Sequence, residues 1–326
     1  MMESISKSKS QKHLVLITIN KTTSHEVFME GKEANVLERI DKLALEITKT
    51  RQKSLLVLYY PEDGGFISPV DVSEVYNELR RGTKSIKIND MDILLHTYGG
   101  VAHPAYRIIQ LIRSFTNNVS MLVPFHAYSA GTLMCLGTDK ICLGAYAALS
   151  PIDIHIALES GDIELIAVDK YIEFVEHCKK VLEKNAKFGT NVDEALLVQL
   201  VKEVGAINIG TFFRNREITK YYAEILLSDY MLNGVPDKEE KTEHIVDMMV
   251  FKFPSHEFEL DYNILKKIGL PVEEMQIDLS DKTKSLVKLL EEAMKNQKIC
   301  RYTGDEYRLP FFRFYNIEEE NEHKEP

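Results

Sequence analysis

Two short apolar runs, each ending in a turn of small residues, dominate the middle of the chain. The first, Asp92-Ile93-Leu94-Leu95-His96-Thr97, runs into Tyr98-Gly99-Gly100. The second, Met121 to Phe125, leads to Tyr128-Ser129-Ala130-Gly131-Thr132. Between them Ala105, Tyr106, Ile108, Ile109, Leu111, Ile112 and Phe115 recur at helical spacing, a stripe too broad for an exposed helix. The order is therefore strand, Gly-Gly turn, buried helix, strand, serine elbow, helix. A Gly-Gly turn lets backbone approach a substrate closely and aims amide donors at a developing oxyanion. A serine at a strand-to-helix elbow is where a hydrolase keeps its nucleophile. The plain alternative for Ser129 is a small residue that permits tight helix packing.

The same alternation extends in both directions. Leu14 to Ile19 and Ser54 to Tyr59 read as strands, Asn35 to Ile47 as an amphipathic helix, and Pro69-Val70-Asp71-Val72 as the opening of another. Strand and helix continue to alternate to about residue 156, the pattern of a parallel sheet covered by helices. Beyond it the sequence reads as mostly helical: Leu165 to Leu182, Asp193 to Val204, Ile209 to Met231, Asp237 to Phe251, and Ser280 to Gln297 with Ser280 as its cap. There is no internal repeat and no Pro- or Gly-rich linker. The expected division is a loose N-terminus over 1–12, one catalytic domain over 13–275, a helical extension over 276–315 and an acidic tail over 316–326.

The order of parts resembles the ClpP/crotonase superfamily, in which one βαβ step supplies the oxyanion glycine and the next the nucleophilic serine. Further motifs narrow the likeness: Thr138-Asp139-Lys140-Ile141-Cys142-Leu143-Gly144, Leu149-Ser150-Pro151-Ile152-Asp153, Ser255-His256-Glu257-Phe258 and Lys267-Ile268-Gly269-Leu270-Pro271-Val272. Together they resemble the serine dehydrogenase proteinase (SDH) family of Clp-fold serine proteinases over roughly residues 55–272. The resemblance implies a ClpP/crotonase-like α/β spiral of ββα units with a largely parallel sheet and a mostly helical C-terminal part. It also implies a triad in chain order Ser, Asp, His. Ser129 is then the nucleophile, Asp153 the orienting carboxylate and His256 the base, with amides of Gly99 or Gly100 and of Ala130 as oxyanion donors. Tyr98 departs from the family, which has proline or another small residue before Gly-Gly; a phenol there narrows the cleft or lends it a hydroxyl.

Other bases stand close in sequence. His96 and His126 flank the two turns, and His155 lies two residues after Asp153, at a separation from Ser129 near that of the ClpP histidine. A Ser-Lys dyad needs a desolvated lysine, and Lys170, Lys179 and Lys180 fall within reach in sequence, on a segment crowded with other charges. The plain readings are a cap carboxylate for Asp153, a surface imidazole for His256 and a solvated helix face for the lysines.

The composition narrows the partners. A net charge of −10 argues against a nucleic-acid surface, because Arg80-Arg81 with Lys84 and Lys87 reads as a solvated helix end. No apolar run is long enough to span a membrane and the N-terminus has no apolar signal core, so a cytoplasmic protein is expected. Cys135, Cys142, Cys178 and Cys300 lack metal or redox spacing and read as free thiols. Gly64-Gly65 lacks the residues of a phosphate loop, and no dinucleotide fingerprint is present, so no cofactor and no metal are expected. The sequence thus points to a serine endopeptidase acting on a protein or peptide. The resemblance adds a homo-oligomer, and the tail or the 280–297 helix offers a place for a regulatory protein partner. The competing readings are an acyl-CoA enzyme on the same fold and a catalytically inactive scaffold.

Overall fold

The computed structural model describes residues 31–83, 87–152, 156–157, 165–166, 198–199, 202, 206–255, 257–295 and 310–317. Its centre is a six-stranded sheet in the order β10-β1-β2-β3-β5-β9. Strands β1 (Ser54–Tyr59), β2 (Asp90–His96), β3 (Asn118–Val123), β5 (Lys140–Leu143) and β9 (Val272–Glu274) run parallel. Only β10 (Phe311–Tyr315) is antiparallel, on the outer edge of β1. Nearly every residue of β1, β2 and β3 is buried. Strands covered on both faces have no solvent side to alternate with, so they read as continuous apolar runs.

Alternation reappears in where each side chain goes. Leu56 and Leu58 of β1 join one core while Leu55, Val57 and Tyr59 join the other, as the two-residue period of a strand requires. The first core is covered by α2 (Asp71–Arg81), α3 (Ala102–Phe115), α4 (Ala130–Leu136) and α5 (Ala206–Leu226), through Val75, Leu79, Ile108, Ile112, Leu133 and Leu226 among others. The second is covered by α1 (Gly31–Arg51) and α8 (Ile277–Lys295), through Ile40, Ala44, Ile47, Leu286, Val287 and Leu290. Helix α8 and strand β10 therefore share the core and the sheet of the preceding segment.

α1 is tied to the sheet electrostatically as well. The Arg51 guanidinium donates to both oxygens of Asp92 at 2.6 and 3.2 Å, and Asp92 is almost fully buried. The carboxylate raises the Arg51 pKa, against the cost of burial.

Between the parallel strands lie short pieces. β4 (His126–Ala127) pairs with β6 (Ala148–Leu149), and β7 (Ile156–Ala157) pairs antiparallel with β8 (Leu165–Ile166). Leu165 and Ile166 are therefore strand rather than the start of a helix; the rest of the expected 165–182 helix lies outside the described residues. The expected 209–231 helix is α5 followed by a π-turn at Leu227–Met231, and the 237–251 helix is α6 (Lys238–Asp247) followed by a second π-turn at Met248–Lys252. Ser280 is no cap. Helix α8 begins three residues earlier and encloses Ser280 in its buried face. A short α7 (Tyr262–Lys267), capped by the Asp261 carboxylate accepting from the Ile264 amide, leads into β9. The expected strand 14–19 lies outside the described residues, as do Cys178 and Cys300, while Cys135 and Cys142 are buried free thiols. Among the described residues no helix is long and apolar enough to cross a membrane.

Candidate active site

The two turns meet at the C-terminal ends of β2 and β3. Thr97 pairs with β4, its amide donating to the His126 carbonyl at 3.1 Å and its carbonyl accepting from the Tyr128 amide at 3.1 Å. This register brings Gly99 against the serine elbow, where a Cβ at Gly99 would lie 2.9 Å from the Ser129 Cβ. Gly99 also has φ +115°, so both the space and the backbone require glycine. Gly100 forms a parallel bridge with Ile67: the Ile67 amide donates to the Gly99 carbonyl at 2.9 Å, and Val101 donates to the Ile67 carbonyl at 2.8 Å. In such a bridge the middle residue turns its own amide the other way, so the Gly100 N–H faces away from Ile67. The Gly99 amide donates to Thr97 Oγ1 at 3.0 Å.

Ser129 stands at φ 51°, ψ −112°, a sparsely populated region for a residue with a side chain, at the N-cap of α4. What holds it there is a polar knot. The Ser129 amide donates to Ser150 Oγ at 2.8 Å, the Ser150 amide donates to Thr132 Oγ1 at 3.1 Å, and Thr132 Oγ1 donates to the Ala127 and Ser150 carbonyls at 2.7 and 2.9 Å. Ser150 and Thr132 are buried, so these bonds form without competition from water. Ser129 itself is only 5% exposed. The Ala130 amide is the first of α4, one of the donors that no helix can satisfy internally. Sequence reasoning passed over Ser150 and Thr132; the one visible signal was a serine directly before the proline of Pro151-Ile152.

Asp153, His155, His256, Lys170, Lys179 and Lys180 lie outside the described residues. Their neighbours do not. Ile152, next to Asp153, donates its amide to the Met249 carbonyl at 2.9 Å. Leu149 and Leu260 exchange a pair of backbone hydrogen bonds at 3.1 and 2.9 Å, and the Tyr128 hydroxyl donates to Glu259 at 2.9 Å. The segment that follows residue 256 is thus fastened to the residue beside Ser129 and to the strand that leads to Asp153.

Behind the turns is a cluster of rings. His96 stacks on Tyr59 at 5.3 Å, and Tyr98 lies edge-on to both His96 and Tyr128, at 5.8 and 5.9 Å. Tyr98, the residue that departs from the family, is 38% exposed. Burial, and then the neighbouring His126, push the His96 pKa down to about 4; burial lowers that of His126 as well. The His96 ring is therefore neutral at pH 7. Among the described residues no group of three or more His, Cys, Asp or Glu side chains is arranged to hold a metal ion.

Comparison with known proteins bears on this arrangement. The family model for ClpP-like SDH-type serine proteinases matches residues 15–205, more than half of the chain. The chain belongs to that family. Two relatives, both from Methanocaldococcus jannaschii, are the uncharacterized proteins MJ0137 and MJ1495. They are 24% and 22% identical to this chain over 172 and 222 residues, which is 50% and 68% of this chain. The matches span 59% and 64% of those relatives, less than two thirds of either. ClpP1 from Listeria monocytogenes and a point mutant of it superpose with TM-scores of 0.32 and 0.37 at 12% and 13% identity, over 75% and 73% of this chain and 99% of theirs. Superpositions that loose carry no weight. The ClpP-like fold follows from the family match, and the parallel sheet with helices on both faces is its α/β architecture.

Proposed function

We propose that the chain is a serine endopeptidase that hydrolyses peptide bonds through an acyl-enzyme on Ser129. In the enzyme–substrate complex His256 takes the Ser129 proton as the hydroxyl attacks the scissile carbonyl, and Asp153 holds the imidazolium. The carbonyl oxygen becomes an oxyanion between the amides of Gly100 and Ala130, while Gly99 supplies the close approach. His256 then returns the proton to the leaving amine, and a water deprotonated by the same imidazole releases the acyl group.

The observation that carries this reading is the convergence on one elbow. Gly99 is packed against Ser129, the strand leading to Asp153 is bonded to Leu260, and Tyr128 to Glu259. The strained backbone of Ser129 gives independent support, since strain of this kind gathers at functional sites. Removing one oxyanion donor costs about 2.7–4 kcal/mol of transition-state stabilisation, so each of the two amides is expected to matter as much as a side chain of the triad's supporting cast. The substrate in this reading is a narrow set of regulatory proteins, and the working form is a homo-oligomer.

The test is labelling of the purified protein by a fluorophosphonate, comparing wild type with Ser129→Ala, Asp153→Asn, His256→Ala, His155→Ala and Lys170→Ala. The triad reading predicts loss in Ser129→Ala and His256→Ala, and full labelling in His155→Ala and Lys170→Ala. Loss in Lys170→Ala with labelling kept in His256→Ala would replace the triad by a Ser-Lys dyad.

A further inference from the structure

A cavity of about 210 Å³ lies between the ends of β1 and β2, the turn before β4, and helix α8. Three of its walls are the rings of Tyr59, Tyr98 and Phe125. Its polar lining is unusual. His96, 8% exposed, and the half-buried His126 both border the cavity, with ring centroids 5.6 Å apart. Each buries its Nδ1, and neither Nδ1 has a hydrogen-bond partner among the described residues.

The buried edge sets the tautomer. An orphaned N–H inside protein is a rarer and costlier defect than an unused acceptor, so the proton of each neutral ring belongs on Nε2. With its Nδ1 buried and its ring on the cavity lining, each imidazole has the Nε2–H as its one donor for an occupant of the cavity. The mouth has the opposite character: Glu62, Asp63 and Glu291 stand against Lys288 and Lys295, and Lys295 is already paired with Glu291 at 2.5 Å. Donors inside, and three carboxylates to two lysines in the lining, together disfavour an anion, and they leave a purely apolar occupant unrewarded. They suit a neutral group that accepts at one atom and donates at another, and the flat aromatic walls suit a planar one.

We propose that this cavity is a binding site for a planar primary carboxamide, its oxygen accepting from the imidazoles of His96 and His126 and its NH₂ donating to the carboxylates at the mouth. Two sources share that chemistry, a free aromatic amide and a glutamine side chain of a bound peptide. The occupant would rest on both catalytic turns, because Tyr98 adjoins Gly99 and His126 is three residues from Ser129. Binding does not require Ser129, so the site stands or falls apart from the proteinase reading.

The experiment is titration of the full chain with benzamide, benzoate, toluene and N-acetylglutamine methylamide, read by saturation-transfer NMR. Benzamide is expected to bind about tenfold more tightly than benzoate or toluene, and to lose about tenfold in His96→Phe or His126→Phe, the worth of one hydrogen bond. Binding of the glutamine derivative at equal affinity assigns the site to a peptide side chain, and binding of benzamide alone assigns it to a free aromatic amide. Should His96→Phe fail to fold, His126→Phe, at the less buried ring, carries the comparison, with a thermal melt as the check. Equal binding of benzamide and toluene, no binding of either amide, or unchanged affinity in a folded His126→Phe protein would overturn the proposal.

Discussion

A Cβ at Gly99 would sit 2.9 Å from the Ser129 Cβ and 3.2 Å from the Tyr128 carbonyl, on backbone that only glycine adopts without strain. Gly99→Ala therefore has to push the elbow aside. It is expected to slow fluorophosphonate labelling of Ser129 by at least about 100-fold, with a stability loss of about 1–3 kcal/mol measured by thermal melt. Ser150 acts one step further back, through the Ser129 amide. Ser150→Ala leaves that buried donor without its acceptor while the Thr132 bonds, made to the Ser150 backbone, remain, so a loss of about 1–3 kcal/mol and slower labelling should appear together. Unchanged labelling in Ser150→Ala would show that the knot supports the fold and not the elbow.

Two buried titratable groups near the site act in opposite directions. Burial raises the Asp71 pKa to about 6, against the Ser68 amide and the Tyr60 hydroxyl that hydrogen-bond the carboxylate. Its contribution to stability is complete below pH 3.8 and disappears as pH rises through 6. His96, lowered to about 4, contributes above pH 6.5 and loses that contribution as pH falls toward 4. Each is worth on the order of 3 kcal/mol, so in wild type they largely offset one another across the same window. Asp71→Asn removes only the acid-side gain, and its Tm should fall more steeply than that of wild type between about pH 7 and 4.5. Parallel curves would contradict the assignment.

Among the elements, those with a strong local period were legible in the sequence. Strand β1 keeps its expected bounds, Ser54–Tyr59, and α3 follows from its apolar stripe. Strands β9 and β10 were not legible, for different physical reasons. β9 is three residues long and has no pattern to read. β10, Phe-Phe-Arg-Phe-Tyr, is buried at four of its five positions and so lacks alternation; its aromatic content was the remaining signal. That strand completes the sheet edge beside β1, and Phe312 packs edge-on to Tyr60 at 5.4 Å. Phe312→Ala should cost about 3–5 kcal/mol in denaturant unfolding, and it should promote association through the loosened edge of β1. A loss under about 1 kcal/mol would mean that β10 is dispensable to the sheet.

For the molecule as a whole, the legible part of the candidate site was the part encoded locally. Gly99-Gly100 and Ser129 announce themselves because each motif is a strand end and a turn within a few residues. The polar knot and the approach of residues 257–260 are set by pairings over tens of residues or more, Leu149 with Leu260 among them, and no local pattern reports such distances. The pairing of Thr97 with Ala127 explains why the two turns touch.

Every step proposed for the reaction depends on Ser129 being the nucleophile. The most direct measurement is mass spectrometry of the fluorophosphonate-treated protein, with the modified peptide sequenced. One adduct is expected, on the Ser129 hydroxyl, and it should be absent from Ser129→Ala. An adduct on another serine, or none on a folded wild-type protein, would contradict the assignment.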